Sequence, residues 1–224
     1  LNRYVKHPQG KPPREIVLLK GYPCIGSCFF CDYIEDNSAS TKKILYTNDK
    51  VLKEITGEFG ILEVANSGSI FEMNLFDLFS IKRMCVDKEI HTLQVDAHWH
   101  YRYAIPELRE MFYPIELIVS IGVETWNDKK RSSKLGKVLT NFSHPECLKY
   151  YDCVYIMVGF DSQTEEEALN DIELTAPFKY AHINIYSDRK GVTVTEEFDP
   201  NIVIDKVPDK FELNQSPDDW GIGN

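Results

Sequence analysis

A chain of 224 residues with 43 % apolar content, including twelve Tyr and twelve Phe, is long enough to bury one well-formed core. Its formal net charge of −10, from 35 acidic against 25 basic side chains, opposes attraction to a phosphate backbone and argues against a stable nucleic-acid partner. No run approaches the ~18 consecutive apolar residues that span a bilayer, the first residues lack a signal-peptide core, and the six cysteines form no secreted disulfide framework. A cytoplasmic location without a membrane partner is therefore expected.

In chain order, residues 1–14 carry Pro8, Pro12 and Pro13 and read as an irregular lead-in. Six apolar runs bounded by turn residues then read as buried parallel strands, at residues 15–20, 61–65, 92–97, 115–122, 153–160 and 182–186. Helical periodicity separates them at 48–59, 75–86, 107–112 and 164–174, the last opening on Ser162-Gln-Thr164 followed by three glutamates. The basic group Lys129, Lys130, Arg131 and Lys134 reads as a solvated helix face. Residues 191–224 read as short strands, around 192–195 and 202–204, and loops closing the open side of the fold rather than as a second domain. Alternation of strand and helix is an α/β pattern with a parallel sheet and right-handed crossovers.

One loop carries most of the chemical information. Cys24, Cys28 and Cys31 lie in Gly21-Tyr-Pro-Cys-Ile-Gly-Ser-Cys-Phe-Phe-Cys-Asp-Tyr33, directly after the first apolar run, with a C-x3-C-x2-C spacing. Three thiolates offered to a four-iron cubane leave one iron open to a non-protein ligand, where ordinary electron-transfer clusters are closed by four cysteines. Structural zinc is the alternative, but it calls for four ligands in paired spacings. Cys85, Cys147 and Cys153 supply no second pair and read as small buried packing residues. A thiol redox or disulfide role is the third possibility.

The spacing, with Phe30 just before the third cysteine, resembles the signature of the radical S-adenosylmethionine superfamily. That resemblance implies a (β/α)6 partial TIM barrel with short N- and C-terminal extensions: residues 1–14 lead in, 15–190 form the partial barrel and 191–224 cap it, as one domain. It also implies a [4Fe-4S] cluster on Cys24, Cys28 and Cys31, with S-adenosylmethionine bound at the open iron. One-electron cleavage of that cofactor to a 5′-deoxyadenosyl radical then needs an external reductant such as flavodoxin or ferredoxin. In a parallel barrel the site lies at the C-terminal ends of the strands, where this loop falls.

The remaining strand ends supply the candidate contacts. The small-residue turn Ser67, Gly68 and Ser69 resembles the segment that holds the methionine amino group, though a Gly-Gly-Glu is absent. Asp96 suits a ribose hydroxyl or a substrate donor. Glu124, in Gly122-Val-Glu-Thr125, resembles a Gly-x-Glu-Thr segment of the superfamily. Phe30 and Tyr33 are expected beside adenine. Asp36, Glu72, His98, Asn184, Tyr186 and Asp188 are the candidate substrate contacts. His98 with His100 invites a metal reading, but two histidines without a third ligand are more often hydrogen-bonding or packing groups. No catalytic residue is assigned.

A closer resemblance, carried by residues 32–38, the Ala97-His-Trp99 element and Asp219-Trp-Gly-Ile-Gly223, is to a small bacterial family that includes queuine lyase. It implies a lyase that removes the cyclopentenediol of queuine by radical C–N cleavage to give 7-aminomethyl-7-deazaguanine, a step of queuosine-precursor salvage. Carboxylates suit the ring N–H and amine of such a base, and Asp, Asn or His suit its diol. Two other readings stay open: radical chemistry on another purine-like or sugar-like metabolite, and a non-catalytic iron–sulfur binding or sensor protein.

Overall fold

Residues 2–187, 191–195 and 198–215 are described by a computed structural model. Eight strands follow one another across the sheet in sequence order: β1 (Tyr4–His7), β2 (Arg14–Leu19), β3 (Ile61–Asn66), β4 (Thr92–Asp96), β5 (Glu116–Glu124), β6 (Cys153–Val158), β7 (Tyr180–Ile185) and β8 (Glu212–Asn214). Helices α1 (Thr41–Leu52), α2 (Leu75–Asp87), α3 (Ile105–Phe112), α4 (Asp128–Leu135), α5 (His144–Tyr150), α6 (Glu165–Thr175) and α7 (Asn201–Ile204) lie between them. This is an α/β fold with the strand order of a partial (β/α) barrel. β1 pairs antiparallel with β2, while β2 with β3, β3 with β4, β5 with β6, β6 with β7 and β7 with β8 are parallel. No helix among the described residues is long and apolar enough to cross a membrane.

The described residues divide into two compact units, one holding residues 2–25 and 33–119, the other residues 26–32, 120–187, 191–195 and 198–215. In the first, β2 is buried at every position, which is why it reads as a continuous apolar run rather than an alternating one. Ile16, Leu18, Leu62, Val64, Leu93 and Val95 are fully buried, as are Ile44 of α1 and Ile81 of α2. Each such aliphatic side chain contributes about 1.5–3 kcal/mol. Three charged side chains are buried with them. Arg14 Nε donates to Glu63 at 2.5 Å, and Glu15 accepts from Tyr4 Oη at 2.6 Å, Thr56 N at 2.8 Å and Gly57 N at 2.7 Å. In the second unit, Val154, Ile156 and Ile183 form the matching core with Ala168 of α6, Phe178 and Phe211. Thr164 and Glu167 close a capping box at the start of α6.

Six expected strands are present within two residues of their expected bounds. Elsewhere the structure corrects the reading. The lead-in contains β1, whose Tyr4 and Val5 pair with Val17 and Ile16. The first helix runs over Thr41–Leu52 rather than 48–59, capped by the Ser40 side chain, and Gly57 at φ +80° interrupts the apolar periodicity that suggested the later span. Residues 202–204, β-branched and strand-like in sequence, lie in α7. The basic group does form a helix, α4, but Arg131 is buried: it donates to Thr125 O at 2.7 Å, pairs with Asp128 and lies over the Phe142 ring. Burial brings its pKa down to about 10. Cys147 sits in α5 and is buried, as a packing residue would be.

Candidate cofactor and substrate site

In the first unit the site is built on the ends of β2 and β3. Asn48 of α1 clamps the end of β2, accepting from Lys20 N at 2.8 Å and donating to Lys20 O at 2.9 Å. Gly21 N then donates to Ser67 Oγ at 3.0 Å, and Tyr22 N to Glu72 O at 2.9 Å, so the chain entering the cysteine loop lies against the turn after β3. Glu72 completes the join: its carboxylate accepts from Ser69 N and from Ile25 N, each at 2.7 Å. Gly68 lies between these groups. A Cβ there would overlap the Glu72 carboxylate and come to 3.2 Å from Cys24 Cβ, so only glycine lets the turn pass so close beneath the cysteine.

Ser69 is spent on local structure. Its Oγ caps the short 3-10 turn over Ile70–Glu72 and accepts from His98 N at 3.2 Å. Asn66 Nδ2 donates to Ser69 O at 3.0 Å, while the buried Asn66 Oδ1 has no partner among the described residues. His98 Nδ1 accepts from His100 N at 3.2 Å, which caps the turn over Trp99–Ala104. His100 is exposed and stands edge-on to Tyr101. Tyr101 stacks on Phe71 and lies 3.5 Å from Glu72 Oε1. Asp96 is half-buried at the end of β4. Asp36 stands apart from this group, held by Arg3 and Lys20. Burial would raise its pKa, but the two cations hold it below the usual carboxylate range. The carbonyl of Tyr33 accepts from Asp36 N at 2.9 Å, which binds Tyr33 to the same turn.

In the second unit the rest of the cysteine loop docks on the end of α4. Phe29 N donates to Leu135 O at 2.9 Å, and the Phe29 ring covers Gly136, whose φ of +64° ends the helix. Phe30 packs against Leu135, Met157, Phe160, Tyr186 and Val192, so two expected contact residues, Phe30 and Tyr186, share one apolar cluster. Glu124 ends β5 at a register irregularity, with φ +65°, and pairs with the half-buried Lys137 at 2.7 Å. Burial alone would weaken the Lys137 ammonium, but Glu124 and the Cys28 and Cys31 sulfurs together raise its pKa above the ordinary value. Burial pushes the Cys28 thiol up, and Lys137 opposes that shift. Asn184 faces Asn214, which donates to it at 2.9 Å.

No disulfide joins any of the six cysteines; Cys24, Cys28 and Cys31 are half-buried, while Cys85, Cys147 and Cys153 are buried. Burial pushes the thiols of Cys85 and Cys147 up to about 12. Among the described residues no three His, Cys, Asp or Glu converge on a single metal ion. Asp188 and the 219–223 segment lie outside the described residues. Sequence reasoning missed Lys137, the Leu135–Gly136 helix end and Asn214. Gly136 after a basic helix was the available signal for the helix end; Lys137 and Asn214 carry none.

A strand order β1 to β8 and a three-cysteine loop that leaves the C-terminal end of the first parallel strand define the radical S-adenosylmethionine class of enzyme. No family model matches the chain, and no curated protein matches it. Among solved structures, a queuine lyase from Clostridium spiroforme bound to SAM and queuine is 41 % identical over 100 % of both chains, with a TM-score of 0.92. The chain belongs to the queuine lyase family.

Proposed function

We propose that this chain is a radical lyase that binds a [4Fe-4S] cluster on Cys24, Cys28 and Cys31 together with S-adenosylmethionine, and converts queuine to 7-aminomethyl-7-deazaguanine. The observation that carries the reading is the likeness, over the whole of both chains, to a protein described as bound to SAM and queuine. The donor set fits the cluster: three half-buried thiols in one loop, none in a disulfide, with a lysine beside two of them to offset thiolate charge. When bound, such a cluster and cofactor supply a one-electron cleavage that yields a hydrogen-abstracting radical.

The protein's own contribution is positioning. Glu72 fixes the backbone at Ile25, next to Cys24, and the Leu135–Lys137 segment fixes the backbone between Cys28 and Cys31. Ser67 and Gly68 keep the turn after β3 small beside Cys24, where a methionyl group has room to approach. Glu124 is proposed as an acceptor for the cofactor, with Lys137 balancing its charge. Phe30 and its apolar cluster present a dry surface for adenine. An external one-electron donor of the flavodoxin or ferredoxin kind completes the reaction.

The test is anaerobic reconstitution followed by reduction in the presence of S-adenosylmethionine, with and without queuine. About four iron and four sulfide per chain, 5′-deoxyadenosine, and queuine-dependent 7-aminomethyl-7-deazaguanine are expected. Cofactor cleavage without turnover of queuine would move the substrate to another small metabolite. A loaded cluster without cofactor cleavage would make the protein a binding or sensor module.

A further inference from the structure

β8 adds two polar side chains to a sheet face that ordinary packing would make apolar. It pairs in parallel with β7 in the register His182 to Glu212, Ile183 to Leu213 and Asn184 to Asn214. Successive strand residues alternate faces, so 182, 184, 212 and 214 share one face, while Ile183 is fully buried on the other. β6 continues the same rows, with Tyr155 beside His182 and Met157 beside Asn184.

In the row of Tyr155, His182 and Glu212 the three side chains face one another. The phenol ring stacks on the imidazole at 4.7 Å, and His182 Nδ1 lies 3.6 Å from Glu212 Oε1. One step toward the C-terminal ends of the strands, the row of Met157, Asn184 and Asn214 is open. Its one side-chain bond among the described residues, from Asn214 Nδ2 to Asn184 Oδ1 at 2.9 Å, uses one donor and one acceptor of the two amides. Whichever way the amides are turned, the pair keeps one carbonyl oxygen and one NH2 group for something else. Asn214 is buried and Asn184 half-buried, so a polar pair stands where valine or leucine would complete the sheet by packing alone.

We propose that Asn184 and Asn214 read the cyclopentenediol of queuine, with β8 supplying the second amide; this rests on the queuine reading above and deepens it. A vicinal diol has two adjacent hydroxyls, each able to donate and accept. One donates to the amide oxygen and the other accepts from the NH2 group. The lactam edge and exocyclic amine of the base would be better matched by a carboxylate taking two parallel N–H groups, and neither member of the pair is one.

The experiment is isothermal titration of queuine and of 7-aminomethyl-7-deazaguanine, which lacks the diol, into reconstituted, S-adenosylmethionine-loaded wild type, Asn184→Ser and Asn214→Ser. Iron content and thermal midpoint report on folding. Asn214→Asp, which keeps the shape but loses the donor to Asn184, serves if the serine variant does not fold. The expected result is a fivefold to tenfold rise in Kd for queuine, about the worth of one or two hydrogen bonds, with the product's Kd within about twofold of wild type. Unchanged queuine affinity, or equal loss for both ligands, overturns the assignment of the amides to the diol. Wild type that binds S-adenosylmethionine but not queuine overturns the substrate reading itself.

Discussion

The carboxylate of Glu72 accepts the backbone N–H of Ile25 at 2.7 Å while its other oxygen accepts that of Ser69, also at 2.7 Å. A side chain read from sequence as a substrate contact thus couples the turn after β3 to the residue beside Cys24. Gln in its place keeps one carbonyl oxygen and turns an NH2 group toward the other N–H. Glu72→Gln is therefore expected to cost about 1–3 kcal/mol and to reduce iron retained after reconstitution. Thermal denaturation and iron analysis check this; an unchanged iron content would show that the Ile25 bond does not hold the loop.

Replacement of Cys24, Cys28 or Cys31 by Ala is expected to abolish both cluster loading and cofactor cleavage. Cys85→Ser, Cys147→Ser and Cys153→Ser should retain wild-type iron content, since these thiols are buried away from the loop sequence, at some cost in stability for placing a hydroxyl in an apolar site. Iron and sulfide analysis of the six single variants decides the ligand set.

Glu124 is buried and its partner Lys137 half-buried, and removal of either strands the other charge. Glu124→Gln and Lys137→Met are each expected to lower stability by roughly 3–5 kcal/mol, whereas the double variant should lose much less than the sum. Denaturant melts of the four proteins give the coupling. The weakening of S-adenosylmethionine binding in Glu124→Gln should exceed that in a variant of equal stability loss elsewhere.

Asp171 predicts a pH dependence of stability. Burial raises its pKa from 3.8 to about 6, against hydrogen bonds from Trp126 N, Thr125 and Gln163. The folded state therefore holds this proton more tightly than the unfolded state does. Its contribution is full below about pH 4 and is lost as pH rises through about 6, on the order of 2–3 kcal/mol. Asp171→Asn should flatten the thermal midpoint between these pH values relative to wild type; an unaltered profile would assign the dependence to other groups.

The fold was legible where burial made the strands uniformly apolar, as in residues 15–20 and 153–160, because two covered faces leave no alternation to misread. Residues 202–204 misled because β-branched side chains favour strands locally, while their helix follows from tertiary placement after Pro200. The cysteine loop was legible because its ligands are adjacent in sequence. Lys137 and Asn214 were not, since each acquires its setting from a partner more than ten residues away, Glu124 in one case and Asn184 in the other. Glu72 was read as a substrate contact, and a carboxylate that caps a turn and one that reads a base look alike in sequence.

The hydrogen bond from Phe29 to Leu135 also sets an order of events during synthesis. Residues 26–32 emerge early from the ribosome, yet the surface they dock on, the end of α4, emerges about a hundred residues later. Until then the backbone around Cys28 and Cys31 lacks the bond that seats it, so docking of this loop waits on completion of the C-terminal half.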